Sequence, residues 1–464
     1  MLLERLYDEG LAQAAYFVGC EETKTAIIVD PGRQAHRFIA AAKHRKMLIE
    51  KITETHIHAD FVSGARDLAA ETGAELLVSG EGDPDWQYRF DARRLYHDDV
   101  IEVGTLRLRV RHTPGHTPEH ITFVITDTRA SDQPVGMLSG DFIFVGDVGR
   151  PDLLERAAGH SGTSETLARR LFHSIRSMSD LPAHLQIWPG HGAGSACGKA
   201  LGALPSTTLG YERIANWAFQ IDDEEQFIKA VLENQPEPPK YFARMKTINR
   251  DGPPPMPAEP LGELSFDDVK AALDRGDPVI DVRSTADFAA GHVQGTINLP
   301  TGTSFATWAG SLLDPASSIV ILADEFGRVS QAQALLASVG LDRIAGFALR
   351  EVREQWARDV EALQTTPQVE PKAGHDLDGH LVIDVRGMSE WRAGHLPGAT
   401  HLFLGDLPET SAPIPRDTPI AVYCQGGTRS AIAASLLQAK GFTKVTNVRG
   451  GITGWRGAGL PVDQ

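Results

Sequence analysis

The amino-acid sequence predicts an α/β chain of several domains, and three observations carry that expectation. Strand-like and helix-like segments alternate through residues 1–235, proline clusters interrupt the chain at 236–262, and a motif then recurs at a nearly constant offset. The length of 464 residues accommodates about three domains of ordinary size.

Each element follows from local pattern. TAIIVD (25–30) is an apolar run ending in a carboxylate, and FIAAAKHRKMLI (38–49) has helical periodicity. ELLVSG (75–80), GTLRLRVRHTPGH (104–116) and HITFVIT (120–126) read as strands. Histidine-rich pieces fall just beyond such strands, where α/β sheets carry their sites. PEPPK and GPPPMPAEP exclude helix interiors and central strands, so 236–261 reads as a linker. The aromatic and basic residues of YFARMKTINR (241–250) predict that it is packed. Beyond it, VIDVRSTADFAAGHVQGTINLP (279–300) matches VIDVRGMSEWRAGHLPGATHLF (382–403), aligning Asp281 with Asp384, Arg283 with Arg386 and His292 with His395. SIVILADEFGRVSQAQALLASVG (318–340) matches PIAVYCQGGTRSAIAASLLQAKG (419–441). Each copy has the strand, loop and helix of a small α/β domain. The expected domains are therefore 1–235, the linker 236–261, 262–364 and 365–464, with the copies meeting near TTPQVEPKAG (365–374).

Composition excludes several classes. A net charge of −16 opposes binding to a phosphate backbone, so no nucleic-acid partner is expected. No run of eighteen apolar residues occurs, so no membrane span is expected. The N-terminus lacks the pattern of a signal peptide. Three cysteines, Cys20, Cys197 and Cys424, are too few for a disulfide scaffold and fit a reducing cytoplasm. A homo-oligomer is left open.

The strongest chemical signal is THIHADFVSGARDLA (55–69). His56, His58 and Asp60 alternate, so an extended segment turns them to one side. Burying two imidazoles and a carboxylate unpaired is costly, and metal binding resolves that cost. VRHTPGHTPEH (110–120) adds His112, His116 and His120 as candidates, with His116 on a rigid Pro-Gly turn. Asp141 follows an apolar strand and a glycine, and His191 lies in IWPGHGAGSACGK (187–199).

These four pieces, in this order, resemble the metallo-β-lactamase superfamily and especially its persulfide dioxygenase branch, over residues 1 to about 250. The resemblance implies an αββα sandwich. The wider family reads His-x-His-x-Asp-His and forms a two-metal hydrolase; here Phe61 stands in the last position and cannot coordinate. The dioxygenase pattern carries over to one Fe(II) on His56, His116 and Asp141. Two histidines and a carboxylate leave positions open for a persulfide and O2. His58, Asp60 and His191 then orient ligands or bound water, or act as alternative ligands. Arg150 either supports the metal shell, faces an anionic substrate or makes a plain salt bridge. Cys197 is a candidate sulfur relay, its alternative being a quiet buried thiol; Cys20 reads as structural.

The second signal is IAVYCQGGTRSAIAASLLQAKGF (420–442). A strand ends at Tyr423, Cys424 opens the loop, and a helix begins near Ser430. Gly426 and Gly427 let backbone amides curve around the sulfur. Together with Gln425 and Thr428, they form a loop that stabilises a thiolate or persulfide, and Arg429 adds positive charge. With DVR (384–386), GHLPGA (394–399) and VRGGITGW (448–455), this resembles a rhodanese domain. Related phosphatases use a loop one residue longer. The resemblance implies that Cys424 accepts a sulfane sulfur and passes it on. Asp384, Arg386 and His395 read as scaffold. The first copy has Ala323 in place of the cysteine, followed by DEFGR (324–328), and resembles an inactive rhodanese-like domain.

The expected partners are a low-molecular-weight thiol persulfide and sulfite or thiosulfate, which couple the two sites. The alternative is a dinuclear zinc thioester hydrolase of glyoxalase II type with an independent sulfurtransferase domain.

Overall fold

Alternation along the first strands divides their side chains between two cores. The computed structural model describes residues 1–158, 162–199, 201–257, 260–372, 377–409 and 414–464. Positions 258–259 of the expected linker, and 373–374 where the copies were expected to meet, lie outside them. The chain folds as two compact units, Met1–Pro257 with Ala337–Gly340 and Ala258–Leu336 with Leu341–Gln464.

In the first unit, β1 (Leu2–Asp8), β2 (Gln13–Cys20), β3 (Thr25–Val29), β4 (Leu48–Thr53), β5 (Glu75–Ser79) and β6 (Arg93–Leu95) form a sheet in that order. It is antiparallel as far as β3 and parallel beyond. A second sheet runs β12 (Thr207–Thr208), β11 (Gln186–Pro189), β10 (Gly136–Gly140), β9 (Ile121–Asp127), β8 (Leu106–His112), β7 (Val100–Val103). Ala14, Tyr16 and Val18 of β2 face Leu108, Phe123 and Leu138 of the second sheet. The intervening Ala15 and Phe17 pack on Phe38 and Leu68 of the helices Ala35–Arg45 and Ala65–Thr72. On the far side, Val124 and Met137 meet Leu171 and Ile228 of the helices Ser164–Ser177 and Glu224–Leu232. The period of two thus generates four layers, αββα. The helical expectation for 38–49 runs too far: left-handed Lys46 ends the helix, and Leu48 already belongs to β4.

The second unit contains two parallel sheets. One orders β14 (Ile297–Asn298), β13 (Val279–Asp281), β15 (Ile319–Leu322), β16 (Ile344–Ala348). The other orders β17 (Gln368–Val369), β21 (Val445–Val448), β20 (Ile420–Tyr423), β18 (Leu381–Asp384), β19 (Thr400–His401). The repeated Asp-x-Arg is architectural in both copies. Arg283 donates to Asp281 at 2.6 Å and to the Gly291 carbonyl at 3.0 Å. Arg386 does the same to Asp384 at 2.6 Å and to the Gly394 carbonyl at 2.8 Å. His292 stacks on Phe288, and His395 on Trp391. Among the described residues, no helix is long and apolar enough to cross a membrane.

Candidate metal centre and sulfur-transfer loop

The metal-binding geometry begins with Asp30. β3 ends at Val29, and Asp30 turns into the left-handed region at φ 54°, which aspartate tolerates better than most residues. Its carboxylate accepts from Thr55 N at 2.7 Å, Thr55 Oγ1 at 2.9 Å and His58 Nε2 at 3.1 Å. The Thr55 hydroxyl spends its proton on Asp30, so its oxygen accepts from His56 Nδ1 at 3.0 Å. His116 Nδ1 donates to the Arg150 carbonyl at 2.9 Å. A ring whose Nδ1 donates presents a bare lone pair at Nε2.

Those lone pairs converge. His116 Nε2 lies 3.5 Å, and His56 Nε2 3.9 Å, from Asp141 Oδ2. All three atoms are buried and lack a hydrogen-bond partner among the described residues, and the three residues could hold one ion together. Burial and the neighbouring His58 keep His56 neutral, and burial lowers His116 too. Burial opposes ionisation of Asp141, but His191 and then His56 and His116 hold its carboxyl well below the usual range. Three unpaired electron-rich atoms buried together repel one another and leave their lost hydration uncompensated. A cation removes both costs, so the residues present fit a metal. Gly140, at φ 52°, admits Asp141: a Cβ there would lie 2.5 Å from Thr55 Oγ1.

The other expected residues surround this face without opening onto it. His58 turns to Asp30; burial works against its charge, but the Asp30 carboxylate raises it to about 9. His191 bonds Asp141 Oδ1 at 2.9 Å through Nδ1 and Asp60 Oδ2 at 2.8 Å through Nε2. Asp60, His191 and Cys197 also cluster, yet both ring nitrogens of His191 are already taken. The Cys197 thiol is pushed up to about 12 by burial, partly offset by His191. Phe61 is fully buried, its ring centroid 4.4 Å from that of His58. Arg150 is buried too and forks onto Asp152 at 2.8 Å, so it faces no open space. His120 accepts from Asp141 N at 3.1 Å, and His112 bonds the Pro118 carbonyl.

Sequence reasoning missed the residues that grip this loop from a distance. Glu119 accepts from Ile57 N at 2.7 Å. The helix Phe242–Asp251 supplies Asn249, whose Nδ2 donates to the carbonyls of His58 at 2.8 Å and Phe61 at 2.7 Å. Asn249 Oδ1 accepts from Ser63 N at 2.9 Å, and Tyr241 Oη donates to the Asp60 carbonyl at 2.9 Å. The only available signal was the carboxylate ending TAIIVD and the aromatic-polar run between the prolines.

In the second unit, Cys424 follows β20 and is buried. Gly427 N donates to its Sγ at 3.0 Å, and the Ser430 hydroxyl lies at 3.5 Å. Gly427 reaches that pose at φ 106°, and the helix Thr428–Ala439 begins directly after it, two residues earlier than expected. Gln425 bonds Thr453, and Gly426 and Thr428 flank a neighbouring cavity. Arg429 forks onto both oxygens of Glu390 at 2.6 and 2.7 Å, a partner sequence reasoning had not named. Ala323 occupies the matching place after β15, and Asp324 pairs with Arg353 at 2.8 Å.

The chain therefore combines a buried face of two imidazoles and a carboxylate that could hold an ion with a cysteine loop that directs a backbone amide at Sγ. Residues 8–191 match the metallo-beta-lactamase superfamily, and residues 265–352 and 369–458 each match the rhodanese-like domain. A crystal structure of a metallo-beta-lactamase from Staphylococcus aureus superposes with a TM-score of 0.70 at 43% identity, over 75% of this chain and 99% of that one. Persulfide dioxygenase ETHE1 of Bos taurus is 26% identical over 51% of this chain and 84% of its own length. A hydroxyacylglutathione hydrolase of Rhodospirillum rubrum is 30% identical over 38% of this chain and 60% of its own. A sulfurtransferase of Allochromatium vinosum is 36% identical over 19% of this chain and 81% of its own. The chain belongs to the metallo-β-lactamase superfamily and carries two rhodanese-like domains behind the metal-binding domain.

Proposed function

We propose that the first domain is a mononuclear iron persulfide dioxygenase and that the last is a sulfurtransferase acting through Cys424. One observation carries the first half: three lone pairs converge where one ion could sit, while the histidines that could help hold a second are spent on carboxylates. Phe61 has no lone pair, His58 is engaged by Asp30, and His191 by two carboxylates. This favours the oxygenase over the two-metal thioester hydrolase that the hydroxyacylglutathione hydrolase suggests.

His56, His116 and Asp141 would hold iron(II), which would activate dioxygen toward the sulfur, the electrons that reduce the oxygen coming from the sulfane sulfur itself. The chain's own residues set the geometry. Thr55 and the Arg150 carbonyl fix both imidazole tautomers, and His191 pins Asp141 so that only Oδ2 is presented. The three side chains are each 1–3% exposed, so the site is shielded from bulk water. The conversion takes a thiol persulfide, one O2 and one water to the thiol, sulfite and two protons.

At the second site, the Cys424 thiolate attacks the outer sulfur of a persulfide. The donor S–S bond breaks, the donor leaves as a thiolate, and Cys424 carries the sulfane sulfur. The Gly427 amide stabilises the anion. Sulfite then attacks that sulfur, releasing thiosulfate and the Cys424 thiolate; the reverse direction forms a persulfide from thiosulfate. Fusion raises the effective concentration of the shared intermediate. Cys197 sits beside His191 and is proposed as a holder of transferred sulfur. With all three cysteines free, we place the protein in the reducing cytoplasm. The test is oxygen uptake by the iron-loaded protein with a defined thiol persulfide while sulfite and thiosulfate are followed. One iron per chain with sulfite formation supports the reading. Two zincs per chain with thioester hydrolysis and no oxygen uptake would replace it.

A further inference from the structure

The internal repeat separates scaffold from function in the second unit. The Asp-x-Arg pair forms in both copies, so its bond serves the fold. A second pair is not shared. Glu390 stands where the first copy has Asp287, and Arg429 where it has Arg328. In the first copy these two part. Asp287 takes the Ser284 hydroxyl at 2.5 Å, and Arg328 turns to Thr301 Oγ1 at 3.1 Å and Glu325 at 3.7 Å. In the copy that has the cysteine, Arg429 forks onto both oxygens of Glu390 at 2.6 and 2.7 Å. A domain of this fold forms without the pair, which leaves the chemistry at Cys424 as its work.

Charge gives that work a direction. Burial opposes the charge of Arg429, while Glu390 and after it Cys424 support it. Burial likewise opposes ionisation of Glu390, but its bond to Arg429 holds the carboxyl below the usual range. Both groups are therefore charged, and their sum is zero. Two other guanidiniums beside the loop are spent in the same way. Arg386, which reaches Gln425 at 3.4 Å, is held by Asp384, and Arg449, whose neighbour Gly450 packs against Gly427, is held by Glu370. The sulfur of Cys424 is left with the Gly427 amide at 3.0 Å and the start of the helix Thr428–Ala439, dipoles that suit a single negative charge. A thiol persulfide brings one negative charge to its sulfurs; thiosulfate brings two. Firm binding of a dianion calls for an unspent cation, and Arg429 is cancelled. The Arg429 and Glu390 side chains are 22% and 33% exposed, so dissolved donors reach the pair.

We propose that Glu390 is the donor-selecting residue of the Cys424 site: by cancelling Arg429 it disfavours dianionic donors such as thiosulfate against singly charged persulfides. The proposal rests on the sulfur-transfer reading above and deepens it. With either donor the Cys424 thiolate attacks the outer sulfur and the donor S–S bond breaks. Thiosulfate releases sulfite and the persulfide releases a thiolate, each with the bonding electrons. Cyanide then takes the sulfur as thiocyanate and returns the Cys424 thiolate. The step at Cys424 is common to both, so the ratio of KM values reads donor recognition.

The test follows thiocyanate formed by the full-length protein from thiosulfate and from glutathione persulfide, over a Cys424→Ser blank. Glu390→Gln keeps an acceptor for Arg429 and for the Gly387 amide, which Glu390 also holds at 3.2 Å, and removes the charge. It lowers KM for thiosulfate about fivefold and KM for the persulfide by less than about twofold. Retained persulfide turnover also reports that the variant has folded. Glu390→Asp, which restores the charge, restores the wild-type ratio, and adding Arg429→Gln to Glu390→Gln removes the gain. A purely structural Glu390 would instead lower kcat with both donors. Equal changes for both donors, or a higher KM for thiosulfate, overturn the proposal. Wild-type protein that forms no thiocyanate from either donor defeats the sulfur-transfer reading itself, a result distinct from the others.

Discussion

Replacing Asn249 by alanine tests whether the metal loop is held from outside the histidine motif. Asn249 is 1% exposed and satisfies three backbone groups of that loop, the carbonyls of His58 and Phe61 and the amide of Ser63. Truncation leaves all three buried without a partner. Each such group costs about 1–3 kcal/mol, so the loss is at least about 3 kcal/mol. In a domain of this size, 1 kcal/mol moves a thermal midpoint by about 2–4 °C, which sets the expected drop at about 6–12 °C. Calorimetry of the full chain resolves the transition of the Met1–Pro257 unit, and competition with a chelator reads metal affinity. Residues that orient ligands are worth about 10–100-fold in affinity, and we expect a fall in that range because His56 enters the same loop. Asn249→Asp keeps the acceptor for Ser63 but faces two carbonyls with a carboxylate, so it should be no better than alanine. A midpoint within about 2 °C of wild type, with unchanged metal affinity, would refute the claim that this helix holds the site.

Further tests follow from single contacts. His116→Ala and Asp141→Ala each remove one of three converging lone pairs and should abolish stoichiometric metal binding, measured by elemental analysis; full occupancy would displace the assigned site. Cys424→Ser should stop thiocyanate formation and leave oxygen uptake with a persulfide largely intact; equal loss of both would contradict two separate sites. Ala323→Cys should restore no transfer, because Phe326 stands where Gly427 adopts φ 106°, a region that a bulky residue avoids. Arg283→Met strands the buried Asp281 carboxylate and should destabilise the second unit by about 3–5 kcal/mol, read as a lower unfolding midpoint.

The fold was legible where periodicity is simple. The strand-like runs at 104–116 and 120–126 and the internal repeat sufficed to anticipate α/β domains, because strand faces impose a period of two on any half-buried sequence. The helix at 38–49 was drawn too long because a short apolar run such as MLI suits either a helix or a strand. The lone-pair directions at His56 and His116 were not legible. They depend on Thr55, Asp30 and the Arg150 carbonyl, of which only Thr55 adjoins its histidine in the chain. The fork of the Arg429 guanidinium onto Glu390, thirty-nine residues away, was likewise not legible.

What the sequence by itself determined is the chemical inventory: which side chains can bind metal, which cysteine begins a glycine-rich turn, and that Phe61 and Ala323 each remove a reactive group. These follow from residue identity and short spacing. Tertiary structure alone decided how His56 and His116 turn their bare nitrogens toward Asp141, that His58 and His191 are spent on carboxylates, and that a helix between prolines holds the metal loop. Each of those depends on where a hydrogen-bond donor lies in space, and distance along the chain carries no record of it.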